Sequence, residues 1–354
     1  MSVTLADVAA RAGVSAATVS RVLNGNYPVA GATRRRVLRA VEELEYVVNG
    51  PASALAAATS DLVGVLVNDI ADPFFGIIAS AVQTEIGPGG DGTRQKLAVV
   101  CNTGGSPERE LTYLTLLQRQ RAAAVVLTGG ALEDEEHSAA LATRIGHLAA
   151  AGAHTVLCGR PPLPGSVTDE PPTAVTFDNR GGARQLTGHL LELGHRRLGY
   201  VGGPAARTTT RHRLEGHRAA LAEAGLAGDA ERLTVHGRYD RASGYEGAVQ
   251  LLSREPDLTA IVAANDTVAL GVCAALRERG VRIPEDVSVT GFDDLPFAAD
   301  AAPALTTVRL PLAEAGRIAA RLALGRDARP AGGVTTCPAT LVPRASTGPA
   351  GAGP

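Results

Sequence analysis

The stretch Val3–Asn24, VTLADVAARAGVSAATVSRVLN, leaves the least freedom in how it folds. Leu5, Val8, Ala9 and Ala12 recur at the spacing of one helical face. Gly13 then permits a sharp reversal, and Ser15 is placed to cap a second helix. There Val19, Val22 and Leu23 turn inward, which leaves Ala16, Ala17, Ser20 and Arg21 outside. From Thr33 to Tyr46 a third helix sets Val37, Ala40, Val41 and Leu44 on one face and closes a small core. Ala30-Gly31 ahead of it offer no capping oxygen, and a missing cap costs about 1 kcal/mol. Two helices joined by so short a turn form either a plain helical hairpin or a helix-turn-helix, whose second helix enters a DNA major groove.

Charge bears on that choice. Residues 1–40 hold Arg11, Arg21, Arg34, Arg35, Arg36 and Arg39 against Asp7 alone, a local excess of +5 on a chain whose total is −2. A cationic end on a near-neutral body suits contact with nucleic acid through one small module, although a solvated basic helix face would look the same. At 354 residues the chain has room for two or three domains. Its start, MSVTLADVAA, lacks a basic segment followed by an apolar one, and no apolar run approaches the roughly 20 residues that span a bilayer. Cys101, Cys158, Cys273 and Cys337 are scattered without a C-x-x-C pair. Four reduced thiols in a cytoplasmic protein are expected, rather than a disulfide framework or a zinc site.

From Leu62 onward short apolar runs alternate with amphipathic helices. Candidate strands are 62–67, 97–101, 124–127, 155–157, 175–177, 198–201, 233–235, 260–263 and 287–292. Helical stretches at 75–85, 108–119, 180–193, 210–224 and 267–279 separate most of them. Strands with helices between them argue for two doubly wound parallel sheets, an α/β core of two lobes. The proline-rich stretch Pro161–Pro172 reads as the crossing between lobes, with a return near Phe292 and a further crossing near Val308. The histidines read as surface residues. The boundaries expected are an all-α headpiece at 1–46, a hinge at 47–59, a core at 60–345 and a flexible tail at 346–354.

Thr4-Leu5-Ala6-Asp7-Val8-Ala9, Ala12-Gly13-Val14-Ser15 and Thr18-Val19-Ser20-Arg21-Val22-Leu23-Asn24 resemble the headpiece of the lac repressor (LacI/GalR) family. The later segments DPFF, RLEGH, NDTVALG, GFDD and LTTVR resemble landmarks of the same family, so the likeness runs through nearly the whole chain. It implies a periplasmic-binding-protein-like core. It also implies that the segment behind Pro51 is a hinge helix that folds on DNA and wedges Leu55 into the minor groove. About two turns of isolated helix do not survive in water, so this hinge needs help to form; a plain alanine-rich linker is the other reading. Ser53-Ala54 stand where a basic or amide side chain would accompany the leucine, which puts hinge phosphate contacts in doubt. The tail lacks the leucine-rich tetramerising helix of some relatives.

Catalytic signatures are missing. Gly87-Pro88-Gly89-Gly90-Asp91-Gly92 spells G-x-G-x-x-G but follows a helix and precedes a strand, the wrong context for a dinucleotide loop. Lys96 is the only lysine and has no Walker frame; neither G-x-S-x-G nor H-E-x-x-H occurs. His212 and His217 are five apart, a poor spacing for a metal. No cofactor is expected. Loops after the strands instead carry residues suited to a polyhydroxylated or heterocyclic ligand: Phe74, Phe75, Arg207, Thr209, Arg213, Tyr239 and Asp266. The resemblance implies that these contact an effector. Singly, Phe74 and Phe75 could be core residues and Asp266 a helix cap. Gly159 stands where many relatives carry an acid before Arg160, and Leu310 replaces a frequent glutamine.

The function expected is therefore a sequence-specific DNA-binding transcriptional regulator, with repression the leading reading. It would act as a homodimer on a near-palindromic operator, its affinity set by a sugar or nucleoside-like effector. The alternatives are a sugar or nucleoside receptor without DNA function and an enzyme on the same ligands. Thr4, Thr18, Ser20, Asn24 and the Arg34–Arg36 run would fix the register, mostly on phosphate, with Ser15 also at the DNA, and Arg21 would read guanine. Ala16 and Ala17 present only methyl groups. Selection from random duplexes should show loose preference at the base pairs under these alanines; strict choice there would contradict the assignment.

Overall fold

The computed structural model describes residues 3–24, 28–46, 60–87, 96–163 and 171–351. The chain divides into two compact units, 1–60 and 61–354. The hinge expected at 47–59, with Leu55, lies outside the described residues, as do 88–92 of the glycine-rich loop.

In the first unit, α1 (Leu5–Ala12) opens on a capping box. The Thr4 hydroxyl accepts from Asp7 N, and Asp7 Oδ2 accepts from Thr4 N at 2.8 Å. Gly13 ends the helix at φ +63°, a left-handed conformation that glycine adopts without steric cost. Ser15 Oγ accepts from Thr18 N at 3.2 Å and starts α2 (Ala16–Asn24). Helix α3 spans Gly31–Glu43 with no side-chain cap, beginning two residues before the expected start. It ends before Tyr46 because Glu45 turns left-handed at φ +47°. Val8, Ala9, Ala12, Val19, Val37 and Ala40 form the buried core, and Arg11 bridges to Glu43 across α1 and α3.

The second unit contains two parallel sheets. Strands β1 (Leu62–Val67), β2 (Leu97–Asn102), β3 (Ala124–Thr128), β4 (His154–Cys158) and β5 (Thr173–Phe177) join β11 (Val334–Cys337) in the order β11-β5-β4-β3-β1-β2. Between them run α4 (Pro73–Ile86), α5 (Pro107–Arg119) and α6 (Glu135–Ala150). The second lobe has β6 (Leu198–Gly202), β7 (Thr234–His236), β8 (Ala260–Ala263) and β9 (Ser288–Thr290) in the order β7-β6-β8-β9. Its helices are α7 (Asn179–Glu192), α8 (Thr208–Glu223), α9 (Arg241–Arg254) and α10 (Asp266–Glu278). After α11 (Pro296–Asp300), strand β10 (Thr307–Arg309) pairs antiparallel with β12 (Thr340–Val342). Helix α12 (Leu312–Ala323) lies between them in sequence and packs on α4 in the first lobe.

Strand alternation decides which helices cover which face. Val63, Val65 and Val67 share a core with Ile78, Val82, Ala315 and Ala319, whereas Leu66 and Leu127 face Leu114, Leu117, Leu141 and Ile145. In the second lobe Val201, Ile261 and Ala263 pack with Leu251, Val268 and Val272.

Several expectations need correction. Strand β5 pairs with β4 and β11, so Pro161–Pro172 connects strands within the first lobe, and the crossing falls at Asp178-Asn179. The chain stays with the second lobe past Phe292, returns after Val308 through α12, and crosses again after β11. Strands β10, β11 and β12 were not expected, because such short strands carry too little periodicity. His195 and His217 are buried, each with one ring nitrogen hydrogen-bonded. Residues 346–350 of the expected tail are tied down: Ser346 is fully buried, its hydroxyl donates to Val289 O, and Gly348 O meets His195 Nε2 at 3.0 Å. Backbone hydrogen bonds at Ser346 and Ala350 extend the attachment. All four cysteines are buried and unbonded to one another.

The first lobe contains a buried ion cluster. Arg160 donates to both oxygens of Glu110, at 3.2 and 3.0 Å, and to the carbonyls of Gly129 and Thr128; His137 Nε2 meets Glu110 at 3.2 Å. Burial pushes the Glu110 carboxyl up, but Arg160 and His137 outweigh it and hold it down to about 2. A pKa depressed by folding contributes stability that is complete above the unfolded value near ~4.3 and lost as pH falls toward the folded one. Glu110→Gln should therefore cost the core roughly 3 kcal/mol at pH 7 and flatten the fall in stability from about pH 5 to 2. Urea melts across that range check it; an unchanged acid limb would refute the assignment.

Candidate functional site

On the first unit, Ala16, Ala17 and Arg21 stand exposed along α2, with Thr18 and Ser20 half-buried beside them. The side chain of Asn24 lies outside the described part of the chain. The Ser15 and Thr18 hydroxyls face each other at 2.9 Å, and the Thr4 hydroxyl donates to Asp7 Oδ2 at 2.7 Å. Thr4 and Ser15 thus hold helix starts in shape, and α2 offers a face of two methyl groups and one guanidinium. Arg34 is exposed near the start of α3.

On the second unit, the loops at the carboxyl ends of β1, β6, β7 and β8 bring a second group together. Asp72 caps α4 by accepting from Phe74 N at 2.9 Å. The Phe74 ring stands edge-on to Phe75 at 5.0 Å and to Phe177 at 6.3 Å, half-exposed, while Phe75 is buried against Gly129. Phe74 therefore offers aromatic surface and Phe75 supports it from the core.

Arg213 is 3% exposed, and each of its three guanidinium nitrogens donates one hydrogen bond. Nε donates to Asn179 Oδ1 (2.8 Å), one terminal nitrogen to Ala264 O (2.6 Å) and the other to Asp293 Oδ1 (2.7 Å). Its carbon lies 3.8 Å from the Phe292 ring centre. Tyr239 packs flat on Gly203, where a Cβ would strike the ring, and its hydroxyl meets Thr210 Oγ1 at 2.6 Å.

Asp266, expected at the ligand, is set back from the surface of this group. Asp266 is fully buried behind it, accepting from Leu295 N at 2.7 Å and Thr307 Oγ1 at 2.6 Å. Asn265 caps α10 in its place. Burial, and then the charge of Asp293, push the Asp266 carboxyl up to about 8. The acid that meets Arg213 is Asp293, in the GFDD segment. Its backbone has φ +103° and that of Asp294 +55°, left-handed values that a non-glycine residue adopts at a cost and that concentrate at functional sites. Two adjacent acids at the end of a strand were the available signal. Asn179 and Asp72 were also missed. Burial pushes the Asp293 carboxyl up to about 6 against the pull of Arg213. Asp72 is likewise raised, by burial foremost, with Asp69 adding to it and Arg213 opposing.

Arg207 does not join this group. Its guanidinium donates to Gly130 O (3.2 Å) and Gly105 O (2.7 Å) in the first lobe. Thr209 lies against Gly130, where a Cβ would collide with its hydroxyl. Beside them a cavity of about 270 Å³ is lined by Gly159, Phe177, Asn179, Thr208, Thr209 and His212, among others. Among the described residues no cluster has the makings of a metal site, and no helix is long and apolar enough to cross a membrane.

Comparison with known proteins accords with this geometry. Residues 4–49 match the model described as bacterial regulatory proteins, lacI family, and residues 187–347 match a periplasmic binding protein-like domain. The regulator GalS of Salmonella typhimurium is 38% identical over 327 residues, covering 91% of this chain and 89% of its own. The solved structure of a transcriptional regulator CelR–cellobiose complex is 34% identical, with a TM-score of 0.67 over 97% of this chain and 99% of its own. The lac repressor dimer bound to operator and the anti-inducer ONPF is 27% identical, with a TM-score of 0.78 over 98% and 100%.

The Arg213–Asp293 pair gives a test of the site. Arg213→Met should destabilise the core by about 3 kcal/mol at pH 7 by leaving a buried carboxylate unpaired. The loss should shrink at pH 5, where Asp293 is protonated. An equal loss at both pH values in denaturant melts would refute the pairing.

Proposed function

The chain belongs to the lacI family of bacterial regulatory proteins, and from that premise we propose how it works as a DNA-binding transcriptional regulator. A homodimer grips a near-palindromic operator through two headpieces, and a sugar or nucleoside-like effector between the lobes sets the affinity. The observation that carries the effector reading is the chemistry of the cleft. Arg213 and Asp293 offset each other's charge, and around them stand a half-exposed Phe74, Tyr239, and threonine hydroxyls. A near-neutral wall of donors and acceptors beside an aromatic face suits a neutral polyhydroxylated ring better than a strongly charged ligand. The likeness to a regulator solved with cellobiose supports a carbohydrate.

Within this reading, Phe74, Thr209, Arg213, Tyr239 and Asp293 contact the effector, with Phe75 and Asp266 behind them. On the headpiece, Arg21 reads a base edge and Ala16 and Ala17 fit against the groove. Thr18, Ser20, Asn24 and Arg34 hold phosphate, making affinity salt-dependent. Thr4 and Ser15 present their backbone and caps to the same strand. Leu55, outside the described residues, is the wedge when the hinge folds. Coupling of this kind is typically ~1–3 kcal/mol, a change of roughly 5- to 150-fold in operator affinity. The relatives compared are regulators and not enzymes. A receptor without DNA function would leave the basic headpiece without a role.

A thermal-shift screen of neutral mono- and disaccharides and nucleosides against the full chain tests this. A ligand at about a hundred times its Kd should raise the core transition by roughly 5 °C. The hit should then change operator affinity in gel shifts at fixed salt. No hit among these compounds, or a hit that leaves operator affinity unchanged, would overturn the reading.

A further inference from the structure

Along one flank of the cleft the two lobes are joined by direct hydrogen bonds. Ala131 N donates to Thr208 Oγ1 at 3.0 Å, and Thr208 N donates back to Ala131 O at 3.0 Å. Glu133 N donates to Ala206 O at 2.7 Å, with Leu132 and Arg207 paired as an isolated antiparallel bridge between these bonds. The loop after β3 thus adds a short ladder to the segment leading into α8. Arg211 Nε reaches Glu133 Oε1 at 2.6 Å on the outside of the same contact.

We propose that Arg207 is the positioning residue of this contact: it clasps the lobes together and sets how far the cleft stands closed. Its planar fork reaches two carbonyls that the sheet holds apart. Gly130 follows β3 and Gly105 follows β2, and β1 lies between those strands. One side chain from the second lobe therefore ties two separate loops of the first. Arg207 is half-buried, so its bonds are less screened by water than the Arg211–Glu133 pair, whose side chains are 42% and 30% exposed. Burial, and then the nearby Arg160 charge, disfavour the charged guanidinium, and the two carbonyls compensate. The Arg207 guanidinium is thereby committed to the lobe contact. The clasp stands whether or not the ligand proves to be a carbohydrate.

Amide hydrogen exchange on the full, ligand-free chain reads this directly. Thr208 is the first residue of α8, so its N–H has no acceptor within the helix, and Ala131 O alone protects it. Glu133 N depends in the same way on Ala206 O. Both amides should be protected in the wild type. In Arg207→Ala both should lose protection by about tenfold or more, while Ala264 N, bonded to Val201 O within the second lobe, stays unchanged. Arg207→Lys, one ammonium for two acceptors, should restore protection only in part. Free exchange at Thr208 and Glu133 in the wild type, or equal protection in Arg207→Ala, would overturn the proposal. Glu133→Ala keeps Arg207 and serves if the alanine variant at Arg207 fails to fold. It should leave Thr208 protected; loss there would move the clasp to the Arg211–Glu133 pair and overturn the role given to Arg207.

Discussion

The second unit depends on one buried guanidinium. Arg213, on α8, is held by Asn179 just after the first crossing, by Ala264 at the end of β8, and by Asp293 beyond β9. Three segments distant in sequence converge on one planar group, and each bond constrains where its segment passes. A buried ion pair is weak support for stability, because desolvation offsets most of the attraction. Here it fixes position. Asp293 accepts an unfavourable backbone conformation to reach Arg213, and Asp294 beside it holds Arg309 and Arg344 on the strand pair β10–β12. Strain, burial and ion pairing fall together where the lobes are joined.

The first lobe uses the same device for a different end. Arg160 and Glu110 are buried with His137, and the guanidinium also satisfies two strand-end carbonyls. Gly159 beside it has φ +86°, so the chain leaves β4 in a turn that frees the space next to Phe177. Arg160, in the loop after β4, thereby ties that loop to the end of β3 at Thr128 and Gly129.

The first unit is built to a smaller scale. Among the described residues, a core of Val8, Ala9, Ala12, Val19, Val37 and Ala40 and the Arg11–Glu43 bridge hold three short helices, and the longest has no side-chain cap. Such a core leaves little margin, since small domains bury a smaller share of their surface. Helix α2 presents methyl groups at two of the three exposed positions among its described residues, Ala16, Ala17 and Arg21.

Local pattern was enough to determine the helix-turn-helix, most of the parallel strands and the helices between them, because caps, glycine turns and apolar periodicity act within a few residues. The cap at Ser15 and the aromatic surface at Phe74 were legible for the same reason, whereas Phe75 turned into the core. Tertiary structure alone decided what depends on partners far along the chain. Pro161–Pro172 looks like a lobe crossing by composition, yet β5 pairs with β4, and only pairing tells which sheet a strand joins. Asp266 and Asp293 are both acids after a strand; Thr307 and Leu295 bury one, and Arg213 claims the other. Residues 346–350 have the composition of a loose tail but dock because Val289, Thr306 and His195 offer partners. Arg207 has the chemistry of a ligand contact, and two carbonyls from another lobe give it a different task. Side-chain chemistry is written locally, whereas the partner that satisfies it is chosen by the fold.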